Sequence, residues 1–467
     1  MELIDIPATL ELFDSKSKII PPIKNSQKTI FRPINYLGSK LRMLDFIETT
    51  INNLSPSDGV ICDLFAGSGS VSKRLSDNRA IISSDIQEYS RVICSALLKP
   101  DTFIDVNVYV EKCENSDFHN KLKDACDPII QYEKECILLA LEGQPSLLCE
   151  FLEEGSLIKS ETESYKKCSS RLEQALKETN TNLSTLLSLN TYDITATRYF
   201  GGIYFSFEQT VALDAIYHGI ASQPKKSHDT LLAALLGTAS NIVNTVGKQF
   251  AQPIQPRATN GLPKKGIGSR ANKDRSLCAF SSYKELLKKY IAIDKNNLPH
   301  QALKMDFLDA LDNLPPETSV VYADPPYTRD HYSRFYHVLE TLCLRDSPEI
   351  STVTIKGDTK LSRGLYREDR HQSPFCIRST APAAFEALFK KVAKLDASLV
   401  LSYSPFTSDV EEHPRVMTIS SLIELAKVHF KSVEQLCPGT FKHNKLNNRE
   451  NSFDEKTHGE LLIVCTN

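Results

Sequence analysis

The sequence predicts an α/β protein whose functional residues lie at one edge of an open sheet. The clearest signal is Asp324-Pro325-Pro326-Tyr327, which directly follows an apolar run at residues 319–323. A second apolar run, residues 60–64, leads into the segment Phe65-Ala66-Gly67-Ser68-Gly69. Short runs of this kind are typical of buried strands. Since ligands of open α/β sheets bind beyond the carboxyl ends of the strands, both motifs are candidate binding elements.

The first predicted element is a helix that begins near Ser39. The segment Asn35-Tyr36-Leu37-Gly38-Ser39-Lys40 precedes apolar residues at helical spacing, namely Leu41, Leu44, Phe46 and Ile47. Lys40 lies in the first turn, where the helix dipole favours anions over cations. A carboxylate near Lys40 would explain a cation at this position, and an ordinary solvated lysine is the alternative.

The segment of residues 65–69 connects the first strand to a helix. Gly67 and Gly69 tolerate positive φ and lack a Cβ, so the turn can be tight and a nucleoside can approach it closely. The third glycine of the dinucleotide fingerprint is absent, which argues against a nicotinamide or flavin cofactor. Asp63, just before this segment, is predicted either to face a ligand or to end the strand in solvent.

The next strand is predicted over residues 80–84 and is followed by Asp85. An acidic residue roughly 20 positions after such glycines is placed to accept hydrogen bonds from both hydroxyls of a ribose. Asp85 could also cap the following helix, which is predicted to include residues 90–98. The two interpretations of Asp85 are compatible.

A long and mainly helical region, residues 101–299, is predicted between the two halves of the sheet. Residues 101–180 contain 17 acidic and 9 basic side chains, so this part is not expected to face phosphates. Residues 240–275 contain seven basic side chains and one acidic side chain. Because clustered Lys and Arg bind phosphates, the glycine-containing stretch 261–275 is predicted to be a mobile basic loop. A solvated linker is the alternative.

The Asp324 to Tyr327 motif offers rigid hydrogen-bond acceptors beside an aromatic ring. Pro325 and Pro326 have no N–H and stiffen the turn, which leaves the Asp324 carboxylate and the backbone carbonyls as acceptors. Such a group suits an amino group on a planar heterocycle, although a Pro-Pro turn that only ends the strand is the alternative. Two further apolar runs, residues 398–404 and 460–464, complete the predicted sheet.

Composition is ordinary for a globular protein, with 41% hydrophobic and 24% charged residues. The length of 467 residues exceeds the usual size of one domain, so a core with a sizeable insertion is expected. No apolar run approaches the ~18 to 20 residues of a membrane span, and the N-terminal residues lack a secretory signal. The 12 cysteines show no zinc-type spacing. We therefore expect free thiols, no metal site and a cytoplasmic location.

Together and in this order, the motifs resemble those of the adenine-specific DNA methyltransferases. That family has an aromatic-x-Gly-Gly/Ser-Lys motif, a Phe-x-Gly-x-Gly loop, an acidic residue and an Asp-Pro-Pro-Tyr motif. The matching residues are Tyr36, Gly38, Lys40, Phe65, Gly67, Gly69, Asp85 and Asp324 to Tyr327. The pair Asp306-Phe307 resembles the adenosine-contacting Asp-Phe of the family. The resemblance covers residues 31–100 and 300–467.

The resemblance implies a Rossmann-like S-adenosylmethionine-dependent methyltransferase core with a large, mainly helical inserted domain. Residues 1–30 would be an N-terminal tail, 31–100 the cofactor-binding part of the core, 101–299 the inserted target-recognition region, and 300–467 the second part of the core. The implied cofactor-binding residues are Tyr36, Gly38, Lys40, Asp63, Phe65, Gly67, Gly69, Asp85, Asp306, Phe307 and Asp324. No metal is required for this chemistry.

The implied reaction is methylation of the exocyclic amino group of adenine in duplex DNA, after the base has left the helix. The catalytic residues would be Asp324, Pro325, Pro326 and Tyr327, with Tyr327 stacking on the base. Phosphate contacts are predicted for Lys264, Lys265, Arg270, Lys273 and Arg275. A cognate restriction endonuclease or subunits of a defence system are the expected protein partners. The alternatives are a cytosine amino group, an RNA adenine, or a catalytically silent DNA-binding subunit.

Overall fold

The computed structural model describes residues 18–19, 32–55, 59–162, 168–328, 332–355, 357–404, 415–438 and 460–467. These residues form a mixed α/β fold with an eight-stranded sheet and a two-stranded sheet. The strands are β1 (Lys18–Ile19), β2 (Val60–Leu64), β3 (Ile81–Asp85), β4 (Gln301–Lys304), β5 (Thr318–Ala323), β6 (Thr352–Ile355), β7 (Asp358–Leu361), β8 (Ser398–Tyr403), β9 (Ser432–Cys437) and β10 (Leu461–Thr466).

The α-helices follow the same order along the chain. They are α1 (Leu44–Leu54), α2 (Ser70–Leu75), α3 (Glu88–Leu98), α4 (Val106–Glu114), α5 (Asp117–Leu141), α6 (Ser146–Glu154), α7 (Leu157–Ser160), α8 (Ser170–Leu189), α9 (Thr195–Phe200), α10 (Phe207–Ile220), α11 (Lys225–Ile242), α12 (Ile267–Arg275), α13 (Ala279–Ile291), α14 (Phe307–Asp312), α15 (Tyr332–Leu344), α16 (Ala381–Lys394) and α17 (Ile419–Lys427). Short 3-10 helices cover Lys40–Arg42, Val246–Lys248 and Pro374–Cys376.

The large sheet is mostly parallel, as the sequence predicts. Its strand order is β1-β9-β10-β8-β5-β2-β3-β4, and β4, β3, β2, β5 and β8 run parallel to one another. In contrast, β10 runs antiparallel to both β8 and β9. The chain adds β3 and β4 on one side of β2, and β5 and β8 on the other. A topological switch point therefore lies between β2 and β5, where open α/β sheets bind their ligands.

Helices cover both faces of the central strands β2 and β5, which explains why these two strands are apolar at most positions. Ile61 packs with residues of α1 and α2, whereas its neighbours Cys62 and Leu64 pack with residues of α14, α16 and α17. Successive strand residues point to opposite faces, so a strand buried on both sides needs apolar residues at nearly every position. The runs at residues 60–64 and 319–323 fulfil this condition, and both predicted strands are confirmed.

Helices α4 to α13 fill the chain between α3 and β4. Their apolar residues form one hydrophobic cluster that also includes residues of α3 and α15. This continuity means that the helical region packs directly against helices of the sheet layer. Of the predicted N-terminal tail, residues 18–19 form β1 at the edge of the sheet beside β9. The rest of residues 1–30 lies outside the described residues.

The prediction of a mobile basic loop through residue 275 is wrong for its second half, which is helix α12. Ile267 and Ala271 are one helical turn apart and both are buried. Gly268 approaches α5 so closely that a Cβ on it would lie 2.9 Å from the carbonyl oxygen of Ala140. This packing fixes the helix, although its exposed face is strongly basic.

Two further properties concern membranes and thiols. Among the residues that the structure describes, no helix is both long enough and apolar enough to cross a membrane. The 12 cysteines are all free thiols, and most of them are buried.

Candidate active site

A cleft opens beyond the carboxyl ends of β2, β3, β4 and β5, next to the switch point of the sheet. The space between its walls is about 1000 Å³, part of which is open to solvent. Most of the site residues predicted from the sequence line it: Tyr36, Gly38, Lys40, Phe65, Asp85, Asp306, Phe307 and Asp324 to Tyr327. Parallel strands bring these residues together because each strand ends at the same edge of the sheet.

Asp324 follows β5 directly, and its two carboxylate oxygens differ in environment. The Nζ atom of Lys40 lies 2.7 Å from Oδ2. The other oxygen, Oδ1, is buried and has no hydrogen-bond partner among the described residues. Burial raises the pKa of the Asp324 carboxyl, Lys40 opposes this effect and Glu460 adds to it, so the pKa is about 6. A buried acceptor without a partner is costly, which indicates that a ligand donor binds Oδ1.

Lys40 is not the ordinary solvated lysine that the sequence left as an alternative. Its side chain is only 6% exposed, and Nζ also lies 2.9 Å from Oε1 of Glu460 and 3.4 Å from the carbonyl oxygen of Gly38. Burial lowers the pKa of the ammonium, but the two carboxylates outweigh burial and raise it. Lys40 therefore stays charged and lines the cleft, and its predicted cofactor contact stays a prediction.

Glu460 is a site residue that no motif of the sequence indicates. Its Oε1 atom accepts hydrogen bonds from Lys40 and from the hydroxyl of Tyr327, the latter at 2.8 Å. Leu461 at the start of β10 pairs with Tyr403 at the end of β8 because the two strands are antiparallel. The residue before β10 therefore reaches the same edge of the sheet as Asp324. To place Glu460 at the cleft, one must know that β10 is antiparallel to β8. An apolar run in the sequence does not reveal the direction of its strand.

Tyr327 presents a firmly held aromatic ring beside Asp324. Its ring centroid lies 5.0 Å from that of Tyr403 and 5.1 Å from the guanidinium carbon of Arg415. Burial raises the pKa of its hydroxyl, as do Glu460 and Asp324, and Lys40 opposes them only in part. The hydroxyl therefore remains a neutral donor to Glu460 at physiological pH.

Asp85 ends β3 and is fixed by two backbone donors. Its Oδ2 accepts a hydrogen bond from the amide of Gly67 and its Oδ1 from the amide of Gln87, both at 2.9 Å. Burial raises the pKa of the carboxyl, and these hydrogen bonds oppose the effect. Helix α3 has Gln87 as its N-cap, so Asp85 is not the capping residue. Its carboxylate lines the cleft, and its predicted ribose contact stays a prediction.

The glycine segment shapes one wall of the cleft without contributing Gly67 or Gly69 to its lining. Gly67 has a φ of 54°, and a Cβ on it would lie 2.4 Å from the hydroxyl oxygen of Tyr36. Phe65 also has a positive φ, 67°, which is uncommon for a residue other than glycine. The centroid of its ring lies 5.8 Å from that of Phe307 and 5.3 Å from that of Phe375. Such strain is typical of ligand sites that the surrounding packing holds in place.

Asp63 is buried, so the alternative that it ends a strand in solvent is wrong. Its Oδ2 accepts hydrogen bonds from the amide and the hydroxyl of Ser72, at 2.9 and 2.6 Å. Burial raises its pKa to about 7, although the bonds from Ser72 lower it. Asp63 does not line the large cleft but a smaller cavity of about 300 Å³ that shares Tyr36 and Lys40 with it. Its cofactor contact stays a prediction.

Two tyrosines of α15 line the cleft and were not predicted. Tyr336 stacks on Tyr36 with ring centroids 4.8 Å apart, and its hydroxyl accepts a hydrogen bond from the amide of Leu37. Tyr332, one helical turn earlier, also faces the cleft. The sequence does contain a signal for these two residues: they are tyrosines four positions apart, shortly after the Asp-Pro-Pro-Tyr motif. Residues 371–374 complete the opposite wall.

The prediction that Arg275 contacts phosphate is wrong. Its side chain is buried, and Nη1 lies 2.6 Å from Oε1 of Glu133. Nη2 donates to the carbonyl oxygen of Gly202 at 2.9 Å. These bonds use its donors inside the helical region, so it cannot reach DNA. Lys264, Lys265, Arg270 and Lys273 are exposed, and none of them forms an ion pair within the described residues.

Comparison with known proteins supports the chemistry that this geometry suggests. Residues 36–128 and 270–390 match the family model of the D12 class N6 adenine-specific DNA methyltransferases. The chain is 24% identical over 374 residues to the type II methyltransferase M.NlaIII of Neisseria lactamica, which covers 76% of this chain and 80% of that protein. It is 22% identical over 441 residues to the modification methylase LlaI of Lactococcus lactis subsp. lactis. The aligned region covers 92% of this chain and 54% of that protein.

The two blocks of the family match contain the residues that line the cleft, from Tyr36 to Tyr89 and from Met305 to Cys376. Methyltransferases of this kind use S-adenosylmethionine as the methyl donor. The cleft fits such a group, since it combines an acidic residue after β3, aromatic rings at Phe65 and Phe307, and an unpartnered acceptor on Asp324. Over these two blocks the chain is similar to the D12 class of N6 adenine-specific DNA methyltransferases, and this similarity together with the two relatives indicates an adenine-specific DNA methyltransferase.

Proposed function

We propose that the chain methylates N6 of an adenine within a specific duplex DNA sequence, and that this adenine flips into the cleft beside Asp324. One observation carries the proposal. Oδ1 of Asp324 is a buried carboxylate oxygen without a hydrogen-bond partner in the part of the chain that the structure describes, and it lies beside two prolines that offer no N–H. An exocyclic amino group supplies the donor that this oxygen lacks.

Asp324 and the Pro325 carbonyl act on the amino group itself. The nitrogen lone pair of an adenine amino group is delocalised into the ring, so the group is a poor nucleophile. Hydrogen bonds to Oδ1 and to the Pro325 carbonyl would favour a pyramidal nitrogen and align its lone pair for attack. S-adenosylmethionine supplies a methyl group activated by a positively charged sulfur. With a pKa of about 6, Asp324 is mostly ionised at neutral pH and favours the positive charge that develops on the nitrogen.

Tyr327 holds the flipped base. Extrusion of a base from duplex DNA costs a few kcal/mol, and stacking on an aromatic side chain returns about 1 to 3 kcal/mol. The ring of Tyr327 is fixed by Tyr403 and by the hydrogen bond to Glu460. Little side-chain freedom is therefore lost when a base stacks on it.

We assign the cofactor adenosine to Phe65, Asp85, Asp306 and Phe307. The Asp85→Ala variant should bind S-adenosylmethionine at least tenfold more weakly, because a hydrogen bond to a charged group contributes about 1.5 to 3 kcal/mol. Calorimetry on the folded variant checks this value. Asp309→Ala removes an exposed carboxylate outside the cleft and should not change the affinity. Equal affinity of Asp85→Ala and the wild-type protein would refute the assignment.

We also propose that the helical region of residues 101–299 is the inserted target-recognition domain and that its basic face contacts the DNA backbone. Lys264, Lys265, Arg270 and Lys273 supply this face. A second basic surface consists of Arg334, Arg363 and Arg370, none of which pairs with an acidic residue within the described part of the chain. Two of these guanidinium groups lie over the ring of Tyr366, 4.9 and 5.0 Å from its centroid.

Salt dependence distinguishes between the two basic surfaces. Changing Lys264, Lys265 and Lys273 to Gln should lower the slope of log affinity against log salt by about 0.9 per lost contact, or about 2.7 in total. Sequence preference should persist, since phosphate contacts position a protein without reading bases. The matched control changes three lysines of the acidic stretch 101–180 to Gln, namely Lys121, Lys134 and Lys177. This control should keep the full salt slope. If the first variant keeps the full salt slope, the DNA backbone contacts the arginine surface instead.

The relatives named above are a type II methyltransferase and a modification methylase. We therefore propose that the chain belongs to a restriction-modification or defence system of the cytoplasm, with a cognate endonuclease or system subunits as partners. Modification-sensitive sequencing of host DNA, with and without the protein, tests the proposed function. Methylation of one adenine within one short sequence is expected, and unmodified adenine throughout would contradict it.

A further inference from the structure

We propose that Glu460 is a positioning residue for methyl transfer. Its carboxylate would hold Lys40 and Tyr327 together and so keep the second oxygen of Asp324 free for the target amino group. This inference rests on the proposed function of the cleft. Glu460 does not line the cleft, and it lies outside both blocks of the family match. It therefore acts through its neighbours rather than on the substrate.

A single oxygen of Glu460 joins two parts of the site that are distant in sequence. Oε1 accepts from Nζ of Lys40 at 2.9 Å and from the hydroxyl of Tyr327 at 2.8 Å. Lys40 precedes α1, Tyr327 follows β5, and Glu460 precedes β10. Both contacts are hydrogen bonds to a charged group and are shielded from water, since the Glu460 side chain is only 13% exposed.

The position of Lys40 explains why Glu460 affects Asp324. An ammonium that served Asp324 alone could move between its two oxygens and cover both. With Glu460 on its other side, Lys40 contacts Oδ2, and Oδ1 stays without a partner. The three charges also leave a net negative charge beside the nitrogen that becomes positive during the reaction. Such preorganised charge favours the transition state.

Other titratable groups act on Asp324 as well. They are Tyr36, Asp63, Tyr322, Tyr327 and Tyr332. The tyrosine hydroxyls have raised pKa values and stay neutral, whereas Asp63 has a pKa of about 7. Asp63 therefore titrates in wild type and in Glu460 variants alike. A difference between their pH profiles reports on the contact of Glu460 with the Lys40–Asp324 pair.

The first experiment compares single-turnover methylation by the wild-type protein and by Glu460→Gln. Gln keeps a carbonyl oxygen for both donors but removes the charge. We expect the rate to fall at least tenfold, while the affinity for S-adenosylmethionine stays within twofold. The acid limb of the rate profile should move to lower pH, because Glu460 raises the pKa of Asp324. A role limited to folding would lower the rate without moving this limb.

The second experiment measures binding without the cofactor. DNA with adenine at the target position is compared with DNA that carries purine there, since purine lacks the amino group. The wild-type protein should prefer adenine severalfold. Glu460→Ala should reduce this preference most and Glu460→Gln less, because Lys40 loses all or part of its attraction to residue 460 and can then cover both oxygens of Asp324. Glu424→Gln is the control, since Glu424 pairs with Lys427 on the exposed face of α17.

The outcomes separate this inference from the proposed function. If Glu460→Gln retains the wild-type rate and acid limb, and both Glu460 variants retain the preference for adenine, Glu460 has no positioning role. A lower rate with an unmoved acid limb and an unchanged preference would also overturn the inference. If the wild-type protein itself shows no preference for adenine over purine, the proposed binding of the amino group to Asp324 fails instead.

Discussion

The Asp324→Ala variant is expected to lose methyl transfer by a factor on the order of 10³, while it still folds and binds S-adenosylmethionine. Asp324 follows the last residue of β5, and its Oδ1 atom contributes no hydrogen bond to the fold. Its Oδ2 atom pairs with Lys40, which keeps Glu460 as a partner when Asp324 is replaced, so the variant should still fold. The target amino group, however, loses the acceptor that orients it and that favours its developing positive charge.

Single-turnover rates with duplex substrate measure this effect, and calorimetry measures cofactor binding in the same variant. Asp324→Asn is the matched comparison, since it keeps one carbonyl acceptor but removes the charge that pairs with Lys40. Its rate should lie between those of the wild-type protein and Asp324→Ala. Turnover by Asp324→Ala at the wild-type rate would contradict the role of Asp324.

The Lys40→Met variant should lose roughly 3 to 5 kcal/mol of unfolding free energy at neutral pH, as expected when one partner of a buried ion pair is removed. Lys40 is the cation that contacts both Asp324 and Glu460. Without it, two carboxylates face each other in a site that excludes most water. Methionine has a similar length, so packing should change little.

The unfolding free energy that Lys40→Met loses should increase as the pH rises. Burial and Glu460 already raise the pKa of Asp324 to about 6 against the effect of Lys40, and removal of Lys40 raises it further. The folded variant then binds a proton more tightly than the unfolded chain, in which Asp has a pKa of about 3.9. Stability of the variant should therefore fall as pH rises from about 4 through 6 and above.

Urea unfolding between pH 4.5 and 8 measures this dependence. The difference between the wild-type protein and Lys40→Met should be smallest at the acidic end and largest at the alkaline end. Lys427→Met removes an exposed partner of Glu424 and serves as the control. A constant difference across the pH range would show that lost packing, rather than unpaired charge, destabilises the variant.

The parallel half of the fold was accessible from the sequence because its signals are local. Apolar runs at residues 60–64 and 319–323 mark strands that are buried on both faces, and an acidic or glycine-containing motif follows each run. Parallel strands carry these motifs to one edge. Most of the predicted residues therefore line one cleft without any knowledge of the contacts between them.

Residues whose role depends on distant partners could not be predicted in this way. Glu460 reaches the cleft because β10 is antiparallel to β8, a property of pairing that the run at residues 460–464 does not encode. Arg275 belongs to a basic stretch, yet its partner, Glu133, comes from a helix far upstream in the chain. A basic residue in such a stretch belongs to the surface only when no buried acid pairs with it, as the exposed Lys264, Lys265, Arg270 and Lys273 of the same stretch show.

The most direct test of the proposed function is the identity of the methylated nucleoside. Purified protein is incubated with duplex DNA and methyl-labelled S-adenosylmethionine, and the DNA is digested to nucleosides and separated. Label in N6-methyl-2′-deoxyadenosine is the expected result, with none when Asp324→Ala replaces the wild-type protein. Label in N4-methyl-2′-deoxycytidine, label in RNA but not in DNA, or no label from a folded, cofactor-bound protein would contradict adenine methylation by this cleft.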